Sequence, residues 1–304
     1  MHIPDGFIDV KTAVGTAVLA ATGAGLALRQ AQRELPPRKV PLLGVAAAFI
    51  FAAQMLNFPV AGGTSGHLIG GVLAAVLLGP AAAVVVMTAV LVVQTFLFQD
   101  GGVSALGANV FNMAIVAPVA GYALYRLVRP AIGLVAAAAF AGWCSTVVAS
   151  LSCAGQLAVS GTVAWNVVIP AMAGIHMLIG LGEGVITALV LVAIGKTRPE
   201  LLDQPDAPVG TLVPVGLVVA LGLALFVSPF ASSWPDGLEK VAEHLGFDTK
   251  AAETPMVPAP IPDYEVPGIG SPAVATALAG GIGTVVVFGL SWLLARMLVP
   301  KKPA

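Results

Sequence analysis

The sequence predicts an all-α polytopic membrane protein, a bundle of seven spans followed by a two-span hairpin. Only 10 % of the 304 residues are charged, against about 25 % in soluble domains, while 58 % are hydrophobic and the mean hydropathy is +0.96. The charges are also unevenly placed: residues 40–195 carry only Asp100, Arg126, Arg129 and Glu183. A soluble globule is excluded. A formal net charge of -1, with no basic cluster, leaves no electrostatic footprint for nucleic acid.

A helix crossing the hydrocarbon needs about 20 mostly apolar residues. Gly, Pro or charged breaks separate nine such runs, near 12–28, 40–57, 67–79, 81–98, 108–126, 131–157, 166–195, 211–228 and 272–296. The third is short. The first carries a row of small residues, Ala13, Ala17, Ala21 and Gly25, suited either to packing inside the bundle or to contact with another membrane subunit. Cys144 and Cys153 fall inside one apolar run without metal or redox spacing and read as small buried hydrophobes.

If the spans alternate, Arg29, Arg33, Arg38, Lys39, Arg126, Arg129, Lys196, Arg198, Arg296, Lys301 and Lys302 share one side, and Lys11, Lys240 and Lys250 the other. The positive-inside rule then puts the N-terminus outside and the C-terminus in the cytoplasm. Loops 58–66, 99–107, 158–165 and 229–271 fall on the outer side with residues 1–11. Residues 199–210 read as a cytoplasmic linker between a membrane domain, 1–198, and an accessory hairpin, 211–304.

Inside the last external loop, PDGLEKVAEHLGF has the form of a short amphipathic helix capped by Asp236 with Glu239 three residues on, expected to rest on the membrane surface. The proline-rich TPMVPAPIPDYEVPG that follows reads as an extended tether. The opening MHIPDGFIDV lacks the basic start and apolar core of a signal peptide, so Met1 is expected to stay on the mature chain. The bulky His2 also disfavours removal of the initiator.

A histidine in second position can chelate one metal through the terminal amine, its own deprotonated amide nitrogen and its imidazole. These make fused five- and six-membered rings with three nitrogens in one plane. A fourth nitrogen completes a square, the geometry of Ni(II) and Cu(II) with nitrogen ligands. His67, in AGGTSGHLIGG, offers that nitrogen on the same side of the membrane. Either histidine alone is explained by a terminal accident or a helix cap; the pair is more informative.

The loop QDGGVSALGAN supplies Asp100, Ser104 and Asn109, which either support a metal site from behind the ligands or form a plain interhelical turn. His176 and Glu183, seven residues apart on one helical face, read as a buried polar clamp or a proton relay. Asn57, Gln94, Asn109, Asn112 and Asn166 are their candidate partners. Gly195-Lys196-Thr197 ends like a phosphate-binding loop, but Val190 stands where that motif needs glycine. No esterase, zinc-protease or paired-carboxylate motif appears, which argues against an enzyme.

MHIPDGF, GGTSGHLIGG, QDGGVSALGANVFNMA and HMLIGLGEGVIT together resemble the substrate-capture (S) components of energy-coupling-factor (ECF) transporters for nickel and cobalt, over about residues 1–198. WPDGLEKVA and the hairpin around it resemble the accessory component that some of these systems carry as a separate chain. The resemblance implies that Met1, His2 and His67 hold Ni(II) or Co(II) as cargo, with no cofactor of the chain's own. It also implies partners: membrane lipid, a transmembrane coupling subunit and two cytoplasmic ATPase subunits that drive import across the bacterial inner membrane. A nitrogen-only planar site favours Ni(II), while a strong in-plane field also admits cobalt. The alternative is a proton-coupled secondary transporter that uses His176 and Glu183.

Overall fold

The computed structural model describes residues 1–203, 210 and 212–298. Helix α1 (Val10–Glu34) starts at Asp9, whose carboxylate accepts the Thr12 N–H at 2.9 Å. α2 (Val40–Gln54) leads into a short antiparallel hairpin, β1 (Phe58–Val60) and β2 (Thr64–Gly66). Then come α3 (Gly71–Leu78), α4 (Pro80–Phe98), α5 (Leu106–Ile132), α6 (Leu134–Val159) and α7 (Trp165–Thr197). α8 (Leu212–Phe230), α9 (Gly237–Leu245) and α10 (Pro272–Leu298) complete the chain.

All nine expected runs are helical. Seven are long and apolar enough to cross a membrane: α1, α4, α5, α6, α7, α8 and α10. At 15 and 8 residues, α2 and α3 are shorter than a span requires. Both are lined by buried side chains, because they fill the middle of the bundle instead of facing lipid. Ala17 on α1 meets the backbone of Gly107 on α5, so part of the small-residue row serves internal packing. Cys153 is buried and Cys144 partly so. Of the expected linker, residues 204–209 lie outside the described residues, as do Lys301 and Lys302.

Two expectations for the C-terminal part, the surface helix and the free tether, are corrected. The hairpin of α8 and α10 packs along α2, where Gly283 meets Phe51 and Phe98 and Gly44 meets Phe288, so it shares the bundle's core. α9 does not leave its apolar stripe free for a membrane surface. It inserts Leu238, Val241 and Ala242 among α7 and β2, because burying that apolar stripe against protein also seals its polar neighbours. The proline-rich segment is anchored and not a free tether: Ile261 donates its N–H to Leu97 O at 3.0 Å, and the Tyr264 ring stacks on Phe98 with centroids 4.6 Å apart. The four loops expected on one side do converge at one end of the bundle, where they bury the chain's first residues.

Candidate metal centre

Residues 1–9 form no helix or strand, so their backbone polar groups need partners from outside the segment. Asn109 supplies two. Its Oδ1 accepts the Ile3 N–H at 2.8 Å, and its Nδ2 donates to Ile3 O at 3.1 Å, an oxygen that also accepts the Gly102 N–H at 2.9 Å. The Asp5 carboxylate accepts the Ser104 N–H at 2.8 Å and hydroxyl at 2.5 Å. Residue 102 has to be glycine, since a Cβ there would lie 2.2 Å from Asp5 N. Thr162 donates its hydroxyl to Phe7 O at 2.5 Å. The segment is therefore fixed from two loops, around 102–109 and at Thr162, and Met1 and Ile3 are buried.

This threading sets the Met1 nitrogen 3.3 Å from His67 Nε2. His67 lies between β2 and α3, and its Nδ1 donates to Leu68 O at 3.0 Å, leaving the Nε2 lone pair for the amine. The His2 and His67 rings stack with centroids 5.5 Å apart and planes 24° from parallel. His2 Nδ1 pairs with Asp100 Oδ1 at 3.0 Å, and Nε2 lies 3.2 Å from Gln94 Oε1. Asp100 in turn accepts the Tyr264 hydroxyl at 2.5 Å.

The loop that carries His67 is held from α7 and α2. Glu183 accepts the Ile69 N–H at 2.5 Å and the Gly70 N–H at 3.0 Å, and Gln54 donates to Ile69 O at 2.8 Å. His176 Nδ1 donates to Met172 O at 2.8 Å. None of the five amide side chains expected to partner His176 or Glu183 does so. Asn112 instead pairs with Gln156 and Ser152, Gln94 faces His2, and Asn109 holds Ile3. The reason is that the backbone of a tight loop leaves unpaired N–H groups that a buried carboxylate satisfies better than an amide does.

The residue that the sequence reading missed is Asp236. It caps α9 as expected, with Oδ1 accepting the Leu238 and Glu239 N–H groups, and Glu239 completes the capping box. Its other oxygen, Oδ2, takes the ammonium group of Met1. The turn before it is fastened to β2: Ser65 donates its N–H to Pro235 O at 2.8 Å and its hydroxyl to Trp234 O at 2.7 Å. A capping box explains the motif so fully that its spare oxygen gives no signal in sequence. The accessory hairpin therefore reaches the N-terminal amine itself.

Electrostatics follow from this packing. Burial would lower the Met1 amine, but the Asp236 charge outweighs it and holds the amine above its usual 8.0. Burial and the neighbouring ammonium push His67 down to about 3, so its imidazole is neutral. Burial would raise Asp100, yet its contact with the His2 imidazole and the Tyr264 hydroxyl brings it to about 2. Among the described residues no three His, Cys, Asp or Glu side chains converge as a metal-ligand set. A site here has to draw on the terminal amine and backbone nitrogen besides the two imidazoles.

Residues 2–201 match the family described as Cobalt uptake substrate-specific transmembrane region, CbiM. The chain belongs to the CbiM family. Residues 210–300 match the PDGLE domain, so this CbiM protein carries a fused NikN-like C-terminal part. The putative fused nickel transport protein NikMN of Archaeoglobus fulgidus is 38 % identical over 299 residues, covering 97 % of this chain and 98 % of its own. The fused nickel transport protein NikMN of Rhodobacter capsulatus is 35 % identical over 254 residues, 72 % of this chain and 73 % of its own. The crystal structure of a transition metal transporter superposes with a TM-score of 0.61 at 32 % identity, over 72 % of this chain and 99 % of its own. CbiM membership makes the chain a multi-pass membrane transport protein of the nickel and cobalt uptake class, and not an enzyme.

Proposed function

We propose that the chain is the substrate-capture component of an ATP-driven ECF importer and takes Ni(II) or Co(II) at the outer face of the plasma membrane. The ligands are the Met1 amine, the His2 amide and Nδ1, and His67 Nε2. The observation that carries this reading is the 3.3 Å approach of the Met1 amine to a neutral, buried His67 lone pair. A metal bound by nitrogen at about 2.0–2.1 Å fits between two such atoms. Loading replaces the amine proton, and the metal takes the place of Asp100 on His2 Nδ1. A divalent ion with one amide anion carries the same net single positive charge as the ammonium it displaces, so Asp100 and Asp236 see no change in net charge.

Asp100 faces His2 directly, whereas Asn109 and Ser104 act one step further back by fixing Ile3 and Asp5. His176 and Glu183 are tied to backbone groups, which supports a positioning role over proton coupling. The planar all-nitrogen set favours nickel, in keeping with the fused relatives named nickel transport proteins, while relatives such as that of Methanococcus voltae are named for cobalt. The domain division is taken as 1–198 and 211–304 around the 199–210 linker, with the N-terminus outside and the C-terminus cytoplasmic. The test is metal uptake by cells that express the chain with or without a coupling subunit and two ATPases. Uptake that needs those partners and survives a collapsed proton gradient supports the reading; uptake indifferent to them selects the secondary transporter.

A further inference from the structure

Beside Met1 lies a cavity of about 10 Å³, the room of a single water, bordered by Met1, His67, Thr146, His176, Asp236 and Gly237. Gly66, Ile69 and Ile179 complete its lining, and four of the nine residues, Met1, His67, His176 and Asp236, carry a metal-binding atom. His176 repeats the arrangement that fixes His67. A carbonyl can only accept, so Met172 O requires the proton on Nδ1 of His176, as Leu68 O does on Nδ1 of His67. Each imidazole is thereby left with its Nε2 lone pair. An imidazole whose second nitrogen donates to a backbone carbonyl is the usual outer support of a metal ligand.

His176 is 2 % exposed, and its Nε2 has no hydrogen-bond partner among the described residues. With Nδ1 committed to Met172 O, the Nε2 lone pair is free to face the cavity that His176 lines. Gly237 keeps the space before it clear, since a Cβ at that position would lie 2.9 Å from Nε2. Thus the turn that brings Asp236 to Met1 also leaves His176 facing the same small space. Nothing in the planar site uses this histidine.

Building on the planar-site reading, we propose that this cavity is a second station for the divalent cation, held by His67 Nε2, His176 Nε2 and the Asp236 carboxylate when the Met1–His2 chelate opens. Two imidazoles and a carboxylate suit borderline divalent ions such as Ni(II), Co(II) and Zn(II) and leave a position for water. In this structure Asp236 is committed to the Met1 ammonium, and the three side chains do not yet converge. Departure of the N-terminal segment frees Asp236 and His67 together. His67 belongs to both stations, so one ion occupies one or the other and the native chain binds a single equivalent.

Titration of the full chain with Co(II) alone, followed by visible absorption, tests this. His2→Ala removes the planar chelate and is expected to leave one weaker equivalent with the strong absorption of four-coordinate, non-planar Co(II). Adding His176→Ala should then weaken binding by more than the 10–100-fold typical of losing an outer partner, and adding His244→Ala should not. His176→Gln, which fills the volume and can still donate to Met172 O, is measured beside it so that a folding defect is not mistaken for a lost ligand. The proposal is overturned if His2→Ala binds no Co(II), or if neither substitution at 176 alters what it binds. If His2→Ala binds as tightly and with the same spectrum as the native chain, the planar reading itself fails, whatever position 176 does.

Discussion

The carboxylate of Asp236 holds the α-ammonium of Met1 across 235 residues of sequence, joining the last external loop to the first atom of the chain. Both partners are mostly buried, at 3 % and 15 % side-chain exposure. Leaving such a charge unpaired costs about 3–5 kcal/mol. Asp236→Asn keeps the helix cap, because asparagine caps as well as aspartate, but removes the charge. The amine's folded pKa is raised above 8.0 and that of Asp236 is depressed below 3.8. The pair's stability is therefore fully present between about pH 4 and 8. It is lost as pH rises through the raised amine value, and again as pH falls through the depressed carboxyl value. Thermal unfolding of native chain and Asp236→Asn should differ most near pH 6–7, and the gap should narrow as pH rises through the amine's raised value; a gap that does not change as the amine titrates would show that the charge pair is not its source.

A residue added before Met1 moves the amine out of the chelate and changes its ring sizes. Met1 is buried and the cavity beside it has only the room of a single water, so the extension also has to break the contact with Asp236. Metal binding by a chain lengthened by two or three residues at the N-terminus should fall by at least about 100-fold, while a tag at the C-terminus leaves it intact. Equal affinity for the two chains, measured by calorimetry, rules out the amine as a ligand.

His67→Ala removes one of four proposed nitrogens and should weaken metal binding by more than the roughly 10–100-fold that outer partners contribute. His244, near the end of α9, borders a different cavity and serves as the control. Equal losses for the two variants at equal expression would detach His67 from the site.

The span pattern is legible in the sequence because hydrocarbon tolerates only long apolar runs, and every expected run is a helix. What periodicity cannot give is depth. α2 and α3 read as spans from composition, yet they lie in the interior, where a short apolar helix is as well satisfied as a long one. Met1, His2 and His67 were visible because a terminal amine beside histidine allows few alternative chemistries. Asp236 and Tyr264 were not, because each has a complete local explanation, a helix cap and a proline-rich turn. Their second contacts arise only when four loops close over the N-terminus.

Glu183 holds the His67 loop through two backbone N–H groups, and Gln54 holds the same peptide from its carbonyl side. Loss of the carboxylate leaves those N–H groups buried without partners, at about 1–3 kcal/mol each, and frees the loop to turn His67 away from Met1. Glu183→Ala should therefore lower metal affinity about 10–100-fold. Glu183→Gln, which keeps one acceptor oxygen, should lose less. If the two variants bind metal as the native chain does, the loop is held well enough by Gln54 and packing alone.

Metal binding should release at least two protons per ion near pH 7.5. The Met1 amine, held above 8.0 by Asp236, is an ammonium there and must lose a proton to coordinate. The His2 amide contributes the second. His67, at about 3, is already neutral and contributes none. Because protons compete with metal for the amine, affinity rises with pH through the amine's range and falls as pH drops. Charge conservation favours this count: two protons leave for each divalent ion, so the positive charge facing Asp100 and Asp236 stays the same in a site where an extra buried charge would be costly. Calorimetry in buffers of different ionisation enthalpy measures the release, and a count of one would remove the amide nitrogen from the ligand set while leaving the amine in place.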